Sequence, residues 1–220
     1  MIQAAVFDAY GTLLDVHSAM QRHAARLGPS WQGISQTWRD KQLEYSWIRG
    51  LAGQYRDFAH LTREALDYAA TLHGVTDPAL LDALEQGYRQ LDAYPDAAPC
   101  LQTLRDAGLG RAILSNGEPA MLAEGVRSAG LDGLLDAVLS VDSVGVFKPS
   151  PAVYALATAR FGLEPGEIAF ISSNPWDAFG ALHFGFRVFW VNRRGQPDEY
   201  GLRAGATVLS GLDALAAALT

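Results

Sequence analysis

The sequence predicts an α/β protein in three layers, with a parallel sheet between helices and a helical insertion after the first strand. Three observations predict it. Short apolar runs recur along the chain and read as buried strands. Amphipathic segments lie between most of them, and that alternation belongs to a parallel sheet covered on both faces. One long interval, residues 16–94, breaks the rhythm and carries only helical patterns. The core is therefore expected at 1–15 and 95–220, and a helical cap domain at 16–94.

The elements follow in order. Ile2 to Phe7 is short, apolar and bounded by a turn, so it reads as the first strand. Within the insertion, Leu61, Ala65, Ala69 and Leu72 share one helical face, and Leu80, Leu84, Tyr88 and Leu91 share another. The stretch from Trp31 to Trp47 places Trp31, Trp38 and Trp47 among charges; it suits packing within the insertion or an apolar lid. The chain returns at Tyr94-Pro95-Asp96. Residues 97–107 put Ala97, Leu101 and Leu104 on one face, and Gly110 to Ser115 forms the next strand. A helix over 118–129 follows a Glu118-Pro119 start. After the strand Ala137 to Val141, a helix over 151–160 is expected, with Ser150 able to cap it and Pro151 at its first position. Strands at Ile168–Ser172, Arg187–Val191 and Ala206–Leu209 complete the sheet.

A chain of 220 residues fits one domain, or one domain with an insertion, and can bury a real core. Hydrophobic residues at 49% and charged residues at 19% are ordinary for a globular protein. The net charge of −7 disfavours nucleic acid or an anionic membrane as partner. A small anionic ligand remains compatible, because a few buried cations override net charge locally. The single cysteine, Cys100, excludes an intrachain disulfide framework or a cysteine metal cluster and reads as a small helix residue. No run of 18 apolar residues exists, so no membrane span is expected. The N-terminus lacks the pattern of a secretory leader, which makes the cytoplasm the expected location. The five histidines (17, 23, 60, 73 and 183) fall in no metal spacing or nucleophile motif.

In open parallel sheets, ligands bind at the carboxyl ends of the strands. The first strand ends on Asp8. The second ends on Ser115-Asn116-Gly117. After the third comes Val146-Phe147-Lys148-Pro149, and the fourth ends on Ser172-Ser173-Asn174-Pro175-Trp176-Asp177. Any one of these polar residues commonly caps a turn or a helix. Together they place a carboxylate, a hydroxyl with an amide, a lysine, and an amide with a second carboxylate at one sheet edge.

This set resembles the haloacid dehalogenase superfamily over most of the chain. Asp8-Ala9-Tyr10-Gly11-Thr12 matches its first motif, Ser115 the second, Lys148 the third, and the block from Ser172 to Asp177 the fourth. The resemblance implies a Rossmann-like core with a cap after the first strand. Phosphatases of the superfamily usually carry a second acid two residues after the nucleophile; Tyr10 stands there instead. Their fourth motif usually holds magnesium with an acidic pair; here Asn174 takes the first place and only Asp177 remains. A phosphoryl group needs its charge neutralised, normally by a metal. The same departures resemble the L-2-haloacid dehalogenase branch, which also has a cap arginine within a stretch like Trp38-Arg39 to Trp47. That resemblance implies hydrolysis of short 2-halo acids without metal or cofactor, with inversion at carbon 2, by a homodimer.

A halide leaves as a stable anion and needs no proton, so an acid at position 10 is superfluous. Asp8 can attack the carbon bearing the halogen and form an ester, splitting one hard displacement into two easier steps. Lys148 can offset the repulsion between this carboxylate and an anionic substrate. By the resemblance, Thr12 orients Asp8, while Ser115 and backbone N–H groups after Asp8, beginning at Ala9, hold the substrate carboxylate. Tyr154 matches a family tyrosine near the lysine. The resemblance also assigns the halide cradle to Arg39 and the Asn116 amide, and a soft anion suits a guanidinium. Tyr10, Leu43, Phe58 and Trp176 form the apolar pocket. Asp177 is the base for the hydrolytic water, Asn174 positions that water, and Ser172 and Lys148 hold nearby carboxylates. Two other readings stay open on sequence grounds: a phosphatase lacking the usual acid, and a non-catalytic small-acid binder.

Overall fold

A computed structural model describes residues 1–219. Its sheet has six strands, β1 (Ala4–Phe7), β2 (Gly110–Ser115), β3 (Ala137–Ser140), β4 (Ile168–Ser172), β5 (Arg187–Val191) and β6 (Thr207–Leu209). Their order is β3-β2-β1-β4-β5-β6, and every neighbouring pair is parallel. All six strands lie where the apolar runs place them, some shorter at an end. Every residue of β1 and β4 is buried, the mark of strands covered on both faces. Val6 sits between Ala112 of β2 and Phe170 of β4. The order of connection reverses at β1 and β4, so their carboxyl ends flank the crevice where ligands of such sheets bind.

Five helices fill the interval after β1: α1 (Ser18–Arg22), α2 (Ala24–Leu27), α3 (Trp31–Leu51), α4 (Phe58–His73) and α5 (Pro78–Arg89). The remaining helices are α6 (Ala97–Asp106), α7 (Pro119–Ser128), α8 (Pro151–Phe161), α9 (Pro175–Phe184) and the short α10 (Leu215–Ala218). Several starts are written in the sequence. Asp77 accepts from the Ala79 and Leu80 N–H groups ahead of Pro78, and Glu118 accepts from those of Ala120 and Met121 ahead of Pro119. Gly74 (φ 70°) ends α4 in the left-handed region, where a side chain would be strained. One capping expectation fails. Ser150 occupies the cap position of α8, but its side chain makes no capping bond; the Val153 N–H goes to the Ser150 carbonyl instead, at 3.0 Å.

The insertion leaves and returns through adjacent segments. Leu14 bridges Ala93 in antiparallel fashion, the Tyr94 N–H donates to Leu13 O at 2.9 Å, and the Asp15 N–H to Asp92 O at 2.8 Å. Far from this ribbon, Tyr55 donates to Asp142, joining the α3–α4 loop to the loop after β3. One continuous apolar cluster runs from the sheet into the insertion. Trp38 belongs to that packing: it is buried, lies 5.0 Å from the Tyr88 ring and donates to Thr62 O at 2.8 Å. Of the three tryptophans, only Trp47 reaches a ring on the core side, that of Trp176.

Candidate active site

Asp8 follows β1 directly, and its N–H still donates to Ile171 O of β4. The chain then turns sharply. Ala9 O accepts from the N–H groups of Thr12, Leu13 and Leu14, and Gly11 takes φ 90°, a conformation side chains rarely adopt. This turn leaves the Asp8 carboxylate at the sheet's edge, only 5% exposed. Oδ1 accepts from Lys148 Nζ at 3.1 Å. Oδ2 accepts from Asn174 Nδ2 at 2.6 Å and from the Thr12 hydroxyl at 3.3 Å. Asn174 Nδ2 also donates to Tyr10 O at 3.0 Å, so two acceptors fix which end of the amide faces Asp8. Thr12 Oγ1 in turn receives the Ser173 N–H at 2.9 Å.

Lys148 is the centre of a buried chain of charges. Its ammonium also contacts Asp177 Oδ2 at 2.8 Å, and the Tyr154 hydroxyl donates to Asp177 Oδ1 at 2.8 Å. Burial alone would pull Lys148 down. The carboxylates of Asp177 and Asp8 outweigh it, and the ammonium is held above its usual value. Burial pushes the Asp177 carboxyl up, with the negative charge of Asp8 adding to it and Lys148 opposing. Two carboxylates thus share one ammonium, and burial raises the basicity of Asp177 above that of an ordinary carboxylate. Tyr154 meets Asp177, not the lysine six residues before it, because the first turn of α9 carries Asp177 across to α8.

The other expected residues fall in three groups. Arg39, 9% exposed on α3, donates to Tyr10 O at 3.3 Å, so the insertion reaches the nucleophile's own loop. It lines a cleft of about 670 Å³ together with Gly11, Leu43, Asn174 and Trp176. Ser115 is buried and accepts the Gly117 N–H at 3.1 Å. Asn116 Oδ1 accepts the Lys148 N–H at 3.0 Å, while its Nδ2 is buried with no partner among the described residues. An unpaired buried donor costs about 1–3 kcal/mol, and a ligand would relieve it. Tyr10 stacks on Tyr88 at 5.6 Å and leans on Phe58 at 5.8 Å. Burial drives its phenol far above the ordinary tyrosine value, so it holds its proton and serves as an apolar wall.

One expectation is corrected. Ser172 holds no carboxylate. Its hydroxyl accepts the Asn174 N–H at 3.1 Å and approaches Asn174 O at 3.4 Å, closing the turn that leads into α9. The carboxylates are served by Lys148, Asn174, Thr12 and Tyr154 instead. Among the described residues, no group of three or more His, Cys, Asp or Glu side chains is arranged to hold a metal ion.

A family model described as haloacid dehalogenase-like hydrolase matches residues 2–185, the stretch that contains all of these groups. The chain belongs to this family. It is 48% identical over 200 residues to (S)-2-haloacid dehalogenase 4A of Burkholderia cepacia, covering 90% of this chain and 87% of that one. It is 50% identical over 197 residues to the (S)-2-haloacid dehalogenase of Xanthobacter autotrophicus, covering 89% and 77%. The L-2-haloacid dehalogenase structure from Xanthobacter autotrophicus with chloropropionic acid covalently bound superposes with a TM-score of 0.92, at 42% identity, over 100% of this chain and 98% of that one.

In this haloacid dehalogenase-like hydrolase, the structure gives roles to residues that the sequence left without one. Ser173 donates to Gly11 O at 2.5 Å and pins the glycine of the first motif. Tyr88 donates to Gln42 Oε1 at 3.1 Å beneath Tyr10, in a buried network that only tertiary contact assembles. Arg193 pairs with both oxygens of Asp96, at 2.5 and 3.0 Å, and donates to Thr12 O at 3.2 Å. Its guanidinium lies 4.3 Å from the Tyr94 ring, so it joins the returning ribbon to the nucleophile loop. A signal for Arg193 existed: it follows the carboxyl end of β5, one strand beyond the four whose ends carry the motifs.

Proposed function

We propose that this hydrolase is an (S)-2-haloacid dehalogenase, removing halide from short L-2-haloalkanoic acids and giving (R)-2-hydroxy acids through an ester on Asp8. The observation that carries this reading is the surrounding of Asp8. Every side chain bonded to it is a donor (Lys148, Asn174 and Thr12), and the place of a second acid holds the buried Tyr10 ring. Such an arrangement presents the carboxylate as an acceptor throughout and puts no acid at position 10 to protonate a leaving alkoxide. A leaving halide needs none. The activities named for the similar proteins, and the covalently bound chloropropionic acid in one of them, support the same reading.

In the first step an Asp8 oxygen attacks carbon 2 from the side opposite the halogen. The carbon–oxygen bond forms as the carbon–halogen bond breaks, and the bonding pair leaves with the halide. Arg39 and the unpaired Asn116 amide receive it. Ser115 and the N–H groups from Ala9 onward hold the substrate carboxylate, and Tyr10, Leu43, Phe58 and Trp176 enclose its side chain. Water then attacks the ester carbonyl of Asp8, with Asp177 taking its proton and Asn174 orienting it. The bond to carbon 2 survives this step, so the inversion does too. Residues 16–94 act as a cap domain over the core of 1–15 and 95–220. No cofactor takes part, and a homodimer in the cytoplasm is the form the family resemblance implies.

The direct test is incubation with (S)-2-chloropropionate in EDTA. Equal amounts of chloride and (R)-lactate are expected. Chloride no higher than from an Asp8→Ala control would sink the proposal, and magnesium-dependent phosphate release from phosphate esters would point to a phosphatase.

The raised Asp177 value fixes the acid limb of the second step. A base must be unprotonated to act, and burial keeps the Asp177 carboxyl above the ordinary carboxylate range near about 4. Forming the ester removes the negative charge of Asp8, but burial, the larger cause, persists. Ester hydrolysis in single turnovers is therefore expected to slow as pH falls through a limb lying above pH 4, and to lose that limb in Asp177→Asn. A limb below pH 4 would exclude Asp177 as the base.

A further inference from the structure

The apolar side of the site does not end around Asp8. Two rows of rings lead away from it. On one side Tyr10 meets Phe58 at 5.8 Å, and Phe58 meets Phe147 at 6.4 Å. On the other, Trp176 meets Trp47 of α3 edge-on at 5.4 Å, with their planes 78° apart. Both rows arrive at one cavity of about 620 Å³, walled by Trp47, Gly50, Phe147, Lys148, Pro149 and Trp176. Lys148 is the residue whose ammonium contacts Asp8. The cavity thus borders the residue that holds the nucleophile.

Trp176 lines two spaces. With Arg39 and Asn174 it borders the polar cleft, and with Trp47 it borders the apolar cavity. It stands as the partition between them, and Trp47 braces it from the insertion. The brace is ring packing alone: both indole nitrogens are buried, and neither has a hydrogen-bond partner among the described residues. Behind the pair the cavity continues to a rim at Leu51 and Tyr200, which are 87% and 58% exposed. An alkyl chain that passed the partition would find apolar walls and an exit.

We propose that Trp47, acting through Trp176, limits the length of the substrate's side chain. The inference rests on the dehalogenase reading and deepens it. The methyl group of a 2-halopropionate ends on the near side of the partition. The butyl group of a 2-halohexanoate must cross the plane that the two indoles close. Trp47 touches no reacting atom; it is a positioning residue for the wall formed by Trp176.

The test compares kcat/KM for (S)-2-chloropropionate and (S)-2-chlorohexanoate in the wild type, Trp47→Ala and Trp47→Phe. The wild type is expected to favour the shorter acid by at least about tenfold, since misfit in an apolar pocket is worth about that per methylene. Trp47→Ala should raise the long-to-short ratio about tenfold or more, and Trp47→Phe, which restores a ring, should return it toward wild type. A merely structural role would lower both substrates together and leave the ratio unchanged; that result, or a wild type indifferent to length, overturns the inference. Should Trp47→Ala not fold, Trp47→Leu gives the same comparison. If the wild type releases chloride from neither acid, the dehalogenase reading fails. Binding of propionate against hexanoate, read by thermal shift in the same proteins, then decides the length limit alone.

Discussion

Asp8→Asn lowers halide release from (S)-2-chloropropionate by about 10⁴-fold or more, on the scale seen when an enzyme loses its nucleophile. The change keeps the side chain's shape, removes its charge and nucleophilicity, and turns one acceptor oxygen into an NH₂ that faces a donor. Lys148 retains Asp177 as a partner at 2.8 Å, so the buried ammonium is not abandoned and the fold survives. Thermal denaturation therefore separates this loss from unfolding: a cooperative transition, lowered by the donor–donor contact, with no chloride is expected. Measured as single turnovers with enzyme in excess, the wild type gives a second result. In H₂¹⁸O the first turnover deposits label in Asp8 and not in lactate, because water attacks the ester carbonyl of the protein. Label appearing directly in first-turnover lactate would mean that Asp8 activates water, and the ester would be excluded.

The central strands β1 and β4 were legible because they are buried on both faces and so read as unbroken apolar runs; the partly exposed β3 and β6 were legible only as short apolar runs between helical segments. The helix starts were legible where Asp or Glu precedes proline, as at Pro78 and Pro119. Ser150 shows the limit of that reading: the residue type suits a cap, but the backbone carbonyl took the N–H first. In the site, residues at strand ends were legible by position, since the fold delivers each strand end to the same edge. Ser172 was at the right place, yet its hydroxyl serves the turn. Position names which residues can reach a site; it does not name the partner each one takes. Arg193, Tyr88 and Gln42 act through carbonyls and hydroxyls brought together only by tertiary packing, and no spacing along the chain records that. The Trp47–Trp176 pair joins residues from α3 and α9, and its meaning depends on the space behind it.

Lys148→Met carries the largest expected loss of stability. Methionine nearly matches the volume of the lysine stem, so packing changes little. What disappears is the one cation between Asp8 and Asp177, both of which stay buried. Breaking a buried ion pair from one side costs about 3–5 kcal/mol, because the partner left behind keeps its desolvation penalty. The variant cannot hold both carboxylates ionised side by side, so at least one takes a proton. When that proton resides on Asp8, the nucleophile is gone, and halide release fails together with stability. The pH dependence has a definite sign. With the ammonium removed, the Asp177 carboxyl, already held above its unfolded value by burial, loses the charge that opposed this and rises further. Between the unfolded and folded values, the folded state binds more protons than the unfolded state, so stability falls as pH rises through that window. Urea unfolding is therefore expected to show a larger deficit against wild type at pH 8 than at pH 5. Adding Asp177→Asn to Lys148→Met removes one of the stranded charges and should recover much of the stability at pH 8 while activity stays absent. A Lys148→Met protein as stable as wild type at pH 8 would mean that these carboxylates do not depend on Lys148 for their charge. The pairing of Lys148 with Asp8 would then lose its part in the proposed mechanism.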